Sequence, residues 1–211
     1  DNDNRDNVIA KLYTLRQQQE TEDGIYLAMS DFIAPKETNL VDYIGMFACS
    51  TGFGQEELVK KYQEDHDDYS IILIKALTDR LAEAMAEKLH EDVRKEYWGY
   101  APKENLSKKE LLYCKYQGIR PAPGYPTQPD HTEKKTMWDL MKVKEETGIE
   151  LTETLAMDPA SSVSGLYFAH SQSEYFSIGE INEDQITDYA KRKNFTKEDV
   201  EYWLSSNLSY K

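Results

Sequence analysis

The sequence predicts an α+β fold in which helices flank an antiparallel sheet, and three observations support this class. Its predicted strands and helices do not alternate in the βαβ order that builds a parallel sheet. Neighbouring strands are close enough in sequence to pair as hairpins, and one amphipathic stretch, residues 69–98, predicts a long central helix. Because no linker-like stretch divides the chain, residues 1–211 are predicted to form one domain or part of one.

The first part of the chain predicts two helices and two strands. A helix is expected over residues 8–20, where apolar residues recur at helical spacing: Val8, Ile9, Leu12 and Leu15. Aromatic and β-branched residues predict strands at 25–29 and 42–50. A short helix is expected from Glu56 to Glu64.

The turn Gly52-Phe53-Gly54 between the second strand and this helix is half of a dinucleotide-binding fingerprint. Glu57 occupies the position of the third glycine, so an ordinary turn is the preferred interpretation. The same gap argues against a stand-alone methyltransferase of the doubly wound type, which needs a glycine-rich turn after its first strand.

The long helix carries an apolar stripe on one side and carboxylates on the other. The stripe is predicted to enter the core and consists of Leu77, Leu81, Ala84, Met85, Leu89 and Val93. Asp67 or Asp68 is expected to cap the start of the helix, and Gly99 to end it. Asp79 and Glu83 lie one turn apart, a pairing that suits acid–base chemistry, although a solvated helix face is the commoner explanation.

The second half of the chain predicts short elements around an irregular loop. Ser107 and Glu110 form a capping box for a helix over 108–116, which Gly118 ends. Residues 119–131 hold four of the seven prolines and are predicted to be irregular, because proline fixes φ and lacks an N–H donor. The remaining expected elements are a helix near 131–147 capped by Asp130 and Glu133 and ended by Gly148, strands at 151–156, 164–169 and 174–181, and two helices begun by Asn182 with Gln185 and by Thr196 with Asp199.

The net charge of the chain argues against two classes of binding partner. With 25 Lys and Arg against 39 Asp and Glu, the net charge is −14, which argues against nucleic acid and against an anionic membrane surface. No stretch approaches the ~20 apolar residues that a membrane span needs, and the polar opening residues predict no signal peptide. Cys49 and Cys114 are predicted to be buried thiols rather than one disulfide, so the chain is interpreted as cytoplasmic.

The proline-rich segment is a candidate cradle for a small molecule. Arg120 can grip a carboxylate with two hydrogen bonds, Gly124 permits close backbone approach, and Tyr125 offers a flat face. The neighbouring prolines reduce the entropy that the loop loses when a ligand binds. The alternative is an extended loop packed against the sheet. No spacing typical of a zinc site or a serine-hydrolase motif is present in the sequence.

Four segments resemble the activation domain of cobalamin-dependent methionine synthase. They are GIRPAPGYPTQPDHTEK (118–134), SDFIAPKETNLVDYIGMFA (30–48), KALTDRLAEAMAEKLHEDVRKEYWGY (75–100) and LTETLAMDPASSVSGLYF (151–168). The resemblance implies an α+β scaffold with a bent antiparallel sheet that binds S-adenosylmethionine. It also implies a role in a larger enzyme that transfers a methyl group from methyltetrahydrofolate to homocysteine, so the isolated chain is not expected to be catalytically competent.

The resemblance also implies the partners of this domain. It docks on the cobalamin-binding domain when the cofactor has been oxidised to inactive cob(II)alamin. Flavodoxin or a diflavin reductase supplies an electron, and S-adenosylmethionine remethylates the reduced cobalt. Lysine runs at 108–109, 134–135 and 191–193 are candidate positive surfaces for an acidic electron donor.

By the same resemblance, ligand-binding roles fall on matching positions. Arg120 is expected to hold the methionine carboxylate, and the backbone of Ala122 and Tyr125 to meet the adenine, with Gly124 between them as a further ligand-binding residue.

Three further positions complete this assignment. Glu83 and Tyr175 are expected near the ribose or the sulfonium, and Asp79 is expected to face the cobalamin domain. No catalytic residue is assigned, because a sulfonium is already a strong electrophile and needs only to be positioned.

One departure from the family pattern affects the affinity expected for the ligand. The family carries a ligand-binding aspartate in an Ile-Asp-Trp context near its N-terminus, and none of the three tryptophans here follows Ile-Asp. The chain is therefore expected to correspond to the later part of the family domain. The alternative function is a protein-interaction module that docks on a cobalamin domain or a reductase without binding a small molecule.

Overall fold

The computed structural model describes residues 7–22 and 24–210, and it confirms the predicted mixture of helices and antiparallel strands. The polar residues 1–6, on which the expectation about a signal peptide depends, lie outside the described residues. The chain divides into two compact units. The first unit comprises the described parts of Asp1–Gly45, Gln117–Leu140 and Leu166–Lys211, and the second comprises Met46–Tyr116 and Met141–Gly165.

The regular elements of the described residues are short, apart from one helix. In chain order they are β1 (Gly45–Ser50), α1 (Gln55–Glu64), α2 (Asp68–Asp92), α3 (Lys108–Leu112), α4 (Glu133–Met141), α5 (Val143–Thr147), β2 (Glu150–Leu151), β3 (Met157–Asp158), β4 (Ser162–Tyr167), α6 (Glu183–Lys193) and α7 (Lys197–Trp203). Turns of 3-10 helix cover Met29–Phe32, Lys36–Thr38 and Ser205–Asn207, and a π-helical turn, Val93–Tyr97, continues α2. Strand β1 pairs with β4, and β2 pairs antiparallel with β3.

Local capping signals located several helices correctly. The Asp67 carboxylate accepts from the backbone N–H of Ser70 and caps α2, and both partners of the predicted capping box at Ser107 are in place on α3. A second capping box at Thr196 begins α7. Gly148 ends α5 with a left-handed backbone, as predicted. The three caps at helix starts work because a side chain within three residues satisfies an amide that the helix leaves unpaired.

The helix predicted over residues 8–20 is wrong. This segment is extended, and Arg16 forms an antiparallel bridge with Ala28. The backbone N–H of Gln17 donates to the carbonyl of Leu27 at 2.9 Å, and the Arg16 guanidinium binds both carboxylate oxygens of Asp31. Partners elsewhere in the chain thus replace the hydrogen bonds that a helix would have made.

Three of the predicted strands are also wrong. The predicted strand 151–156 contributes only Leu151 to β2, and the rest of it is the turn that leads to β3. The other two are absent. Residues 25–29 contribute only the bridge at Ala28 before the 3-10 turn, and residues 174–181 form no strand, although Ile181 bridges to Leu208. The apolar side chains of this second segment serve another purpose. Ile178 and Ile181 are fully buried in the apolar cluster of the first unit, together with Leu15, Ile186, Tyr189, Ala190, Val200 and Leu204.

Helix α2 buries a different face from the one predicted. The buried residues are Ala82, Ala86 and His90, whereas Leu77, Leu81 and Met85 of the predicted stripe are about half exposed. A spacing of four places the two alanines and His90 on one line, and small side chains allow close packing. The hydrophobic pattern therefore predicted the helix correctly but assigned the wrong side of it to the core.

Three smaller predictions are corrected. The helix expected over 108–116 ends at Leu112, with Tyr113 rather than Gly118 after it. The helix expected over 131–147 is two helices, because Lys142 adopts a left-handed backbone between α4 and α5. Both cysteines are free, as expected, but Cys114 is exposed and only Cys49 is buried. None of the helices among the described residues is long and apolar enough to cross a membrane.

Candidate functional site

The segment of residues 119–131, here called the proline-rich loop, has an irregular backbone that neighbouring segments hold at several points. Ile119 exchanges two backbone hydrogen bonds of 3.0 Å with Phe168. The carbonyls of Pro121 and Pro126 accept from the amides of Leu166 and Ile178 at 2.8 and 2.9 Å. The prolines supply no N–H groups, so their carbonyls and the few remaining amides anchor the loop.

A tight turn forms the centre of the proline-rich loop. The Gly124 amide donates to the carbonyl of Gln128 at 2.7 Å, and the Gln128 amide donates to the carbonyl of Tyr125 at 2.8 Å. Gly124 has φ of +96°, and a Cβ at this position would lie 2.1 Å from Cε1 of His131. Backbone conformation and the nearby His131 ring both require glycine, which confirms the turn predicted at this position.

Five of the predicted binding residues lie in the first unit: Arg120, Ala122, Gly124, Tyr125 and Tyr175. The backbone N–H of Arg120 donates to the Tyr175 hydroxyl at 2.9 Å, although the two residues are 55 positions apart. The side chains of Tyr125 and Tyr175 are 60% and 44% exposed, so both are accessible to a ligand. Together these residues offer a guanidinium, two aromatic faces and a tight turn centred on Gly124.

A buried polar cluster lies at the end of the proline-rich loop, and the sequence analysis missed it. Asp130 and Glu133 were assigned to a helix cap, yet both carboxylates bind the Lys193 ammonium from the end of α6. Asp130 also accepts from the Tyr189 hydroxyl at 2.9 Å, and Glu133 accepts from the Tyr13 amide at 2.8 Å. Burial raises the pKa of Glu133 and that of Tyr189 above their ordinary values. No local signal identifies this cluster, because its partners are about sixty positions apart.

His131 and Lys134 form a half-buried pair beside the central turn. His131 Nδ1 lies 3.1 Å from Lys134 Nζ, and Lys134 is buried. Burial and the neighbouring ammonium hold the pKa of His131 below its ordinary value, and burial lowers that of Lys134. Both shifts favour the neutral forms.

This pair predicts an acid-sensitive component of stability. Because the pKa of His131 is lower in the folded protein, the unfolded chain binds the proton first as the pH falls below about 6.5. The free energy of unfolding should therefore fall as the pH is lowered from 7.5 to 5.5, and the fall should be smaller in His131→Gln. Thermal melts across this range test the prediction, with the exposed His66→Gln as the control. A pH dependence unchanged in His131→Gln would contradict it.

The sixth predicted binding residue, Glu83, belongs to the second unit. With Asp79 it lines a cavity of about 530 Å³ between α2 and the residues that lead into β4. The Ser161 hydroxyl donates to the Asp79 carboxylate at 2.6 Å, which fixes this carboxylate at the cavity wall. Within the described residues, no group of three or more His, Cys, Asp or Glu side chains is arranged to hold a metal ion.

The glycine turn at residues 52–54 has a structural role. Gly54 is the left-handed N-cap of α1, and a Cβ on Gly52 would lie 2.5 Å from Cβ of Pro159. These contacts account for both glycines without a nucleotide, as the preferred interpretation expected.

Comparison with known proteins places this chain beside a protein family and a solved structure. The family model described as vitamin B12 dependent methionine synthase, activation domain, matches residues 1–194. A solved structure, the MetH reactivation domain bound to AdoHcy, is 51% identical in sequence and superimposes with a TM-score of 0.96. The match covers 100% of this chain and 65% of that chain, so this chain spans less than two thirds of its solved relative.

Proposed function

This chain belongs to the family of vitamin B12-dependent methionine synthase activation domains, and on that premise we propose that it binds S-adenosylmethionine at the proline-rich loop and supports remethylation of oxidised cobalamin. The observation that carries the proposal is the 51% identical solved domain, which matches this whole chain and is bound to AdoHcy. AdoHcy is the product that S-adenosylmethionine leaves when it gives up its methyl group.

The residues of the proline-rich loop suit this ligand. S-adenosylmethionine carries a carboxylate, a planar purine and a cationic sulfonium. Arg120 provides the charge-assisted donors that a carboxylate requires, and the exposed ring of Tyr125 offers a stacking face. Gly124, with φ of +96°, allows the tight turn on which the backbone of Ala122 and Tyr125 is proposed to meet the edge of the purine. Because neighbouring segments already hold the loop, the loop loses little conformational entropy when the ligand binds.

The role of these residues in methyl transfer is positioning. Bound S-adenosylmethionine supplies an electrophilic methyl group and needs no acid or base from the protein. The hydrogen bond from the Arg120 amide to the Tyr175 hydroxyl links the carboxylate-binding residue to a second binding residue. Their fixed relation holds the ligand in one orientation, which is the main contribution that a protein makes to such a transfer.

Glu83 is proposed to lie near the ribose or the sulfonium of the ligand, and its replacement distinguishes the two. Near the sulfonium, Glu83→Gln should weaken binding of S-adenosylmethionine about two- to fivefold, since an exposed charge pair contributes up to ~1 kcal/mol. AdoHcy, which has no sulfonium charge, should then bind the variant and the wild type equally. Near the ribose, both ligands should lose affinity alike. Unchanged affinity for both ligands would exclude Glu83 from the site.

The proposed partners are a cobalamin-binding domain and an electron donor such as flavodoxin or a diflavin reductase. Of the three lysine runs considered for an acidic donor, only the first is fully exposed, at Lys108 and Lys109. Lys134 is buried and the side chain of Lys193 is only 4% exposed, so the other two runs present fewer charges than the sequence predicted. A cytoplasmic location, where such reductases work, stays a prediction.

A methyl-transfer assay tests the proposed function. The chain is mixed with a cobalamin-loaded partner domain in the cob(II) state, a one-electron donor and S-adenosylmethionine labelled in its methyl group. We expect labelled methylcobalamin that depends on the chain and that, at S-adenosylmethionine concentrations near the wild-type dissociation constant, falls strongly in Arg120→Ala. If the chain bound the partner domain without binding S-adenosylmethionine, the interaction module would be the correct function.

A further inference from the structure

The buried ammonium of Lys193 lies where one side chain can control the proline-rich loop. Its Nζ donates to Asp130 Oδ2 and to Thr132 Oγ1 at 2.5 Å, and also to the Glu133 carboxylate. The side chain of Lys193 is 4% exposed, and those of Asp130 and Glu133 are each 3% exposed. A buried charge in such a place requires partners on every side, and here the partners include the last part of the loop.

The surroundings of this ammonium are complete. Tyr13, Tyr189 and Phe195 place their ring centroids 5.6, 5.2 and 5.1 Å from Nζ, so three aromatic faces enclose it. The two carboxylates and the Thr132 hydroxyl occupy the remaining directions. Lys193 is therefore held by groups from residues 130–133, from Tyr13 and from its own helix and the residues just after it.

Asp130 transmits this constraint to the loop. Its carboxylate accepts from the Thr132 amide at 2.8 Å and from the hydroxyls of Thr132 and Tyr189, at 2.8 and 2.9 Å. Two residues earlier, Gln128 closes the central turn by accepting the Gly124 amide. Its own side chain donates to the Tyr13 carbonyl at 2.8 Å, so the same segment braces both Gln128 and Glu133.

We propose that Lys193 is a positioning residue for ligand binding: through Asp130, Thr132 and Glu133 it fixes the end of the proline-rich loop, and with it the turn at Gly124. This inference rests on the proposed binding of S-adenosylmethionine at that loop. Lys193 does not need to touch the ligand. Its effect comes from geometry, because a small displacement of positioning groups is enough to cost a large factor in affinity or rate.

The test compares Lys193→Met with a variant that destabilises the same unit elsewhere. Leu204→Ala removes buried apolar volume from the cluster of the first unit and leaves the polar cluster intact. If Lys193→Met does not fold, the double variant Lys193→Met with Glu133→Gln removes one of the carboxylates that would otherwise lack a countercharge. Both measurements are made on the full chain, well below the melting temperature of each variant.

The first measurement is hydrogen–deuterium exchange of the peptide that contains the loop, without ligand. The amides of Gly124, Tyr125 and Gln128 report on the turn. We expect them to exchange about tenfold faster or more in the Lys193 variant than in wild type and in Leu204→Ala, after correction for global stability. Equal exchange in all three proteins would overturn the inference.

The second measurement is the dissociation constant for S-adenosylmethionine. We expect it to rise about tenfold or more in the Lys193 variant and to stay within about twofold in Leu204→Ala. A Lys193 variant with wild-type affinity would overturn the positioning role and leave the proposed function intact. If wild type itself failed to bind S-adenosylmethionine, the proposed function would fail, and the exchange measurement would still decide whether Lys193 positions the loop.

Discussion

Gly124→Ala is expected to destabilise the protein by about 2–5 kcal/mol and to disrupt the proline-rich loop. A non-glycine residue in the left-handed region costs roughly 1–2 kcal/mol, and a methyl group forced into filled space costs about 1–3 kcal/mol more. Both penalties apply here, since φ is +96° and the added Cβ would lie 2.1 Å from the His131 ring. Relieving the overlap would move His131 away from Lys134, which lies 3.1 Å from its Nδ1.

Two comparisons separate the cost of the backbone conformation from the cost of the steric overlap with His131. Gly24 also has a positive φ, of +70°, but a Cβ there would meet nothing within 4 Å. Gly24→Ala should therefore cost only the backbone penalty of roughly 1–2 kcal/mol. Adding His131→Ala to Gly124→Ala removes the ring and should recover part of the lost stability. Chemical denaturation measures all three, and equal losses in Gly124→Ala and Gly24→Ala would contradict the packing of His131 against the turn.

Arg120→Ala is expected to weaken S-adenosylmethionine binding by about 1.5–3 kcal/mol, the contribution of a charge-assisted hydrogen bond. This corresponds to a dissociation constant roughly 10- to 150-fold higher. Stability should change less than ligand affinity, because Arg120 is half-buried rather than part of the core and its backbone N–H, which binds Tyr175, is retained in the variant. Arg120→Lys should fall between wild type and alanine, since an ammonium keeps the charge and loses the two-pronged geometry.

The ligand itself offers the control for this prediction. 5′-Methylthioadenosine keeps the adenosine and lacks the carboxylate that Arg120 is proposed to bind. Its affinity should be the same for wild type and Arg120→Ala, so that the loss appears only when both the guanidinium and the carboxylate are present. An equal loss for both ligands would place Arg120 elsewhere in the site, and wild-type affinity in Arg120→Ala would remove it from the site.

The sequence predicts the parts of this fold that depend on neighbouring residues. Asp67, Ser107 and Thr196 each cap a helix through a contact three residues away, so their role is visible in a short window. The irregular course of the proline-rich loop is equally local, because four prolines within it rule out regular hydrogen bonding. The turn at Gly124 is also predicted locally, because glycine is the residue that adopts a tight turn most readily.

Long-range partners account for what the sequence did not predict. Residues 8–20 carry a helical pattern, yet bonds from Arg16 to Asp31 and from Gln17 to Leu27 hold them extended. The partners of Lys193 lie about sixty positions away in the sequence, so no short sequence motif indicates them. A residue that binds a ligand can be recognised by its motif, whereas a residue that positions the motif becomes visible only in the folded chain.

A calorimetric titration of the folded wild-type chain with S-adenosylmethionine shows directly whether this domain binds the ligand. We expect saturable binding at one site, competition by AdoHcy, and protection of the loop amides at Gly124 and Gln128 from exchange when the ligand is bound. A chain that is folded by circular dichroism and takes up no S-adenosylmethionine at millimolar concentration would contradict it. That result would leave the proline-rich loop as a structural or docking element of the domain.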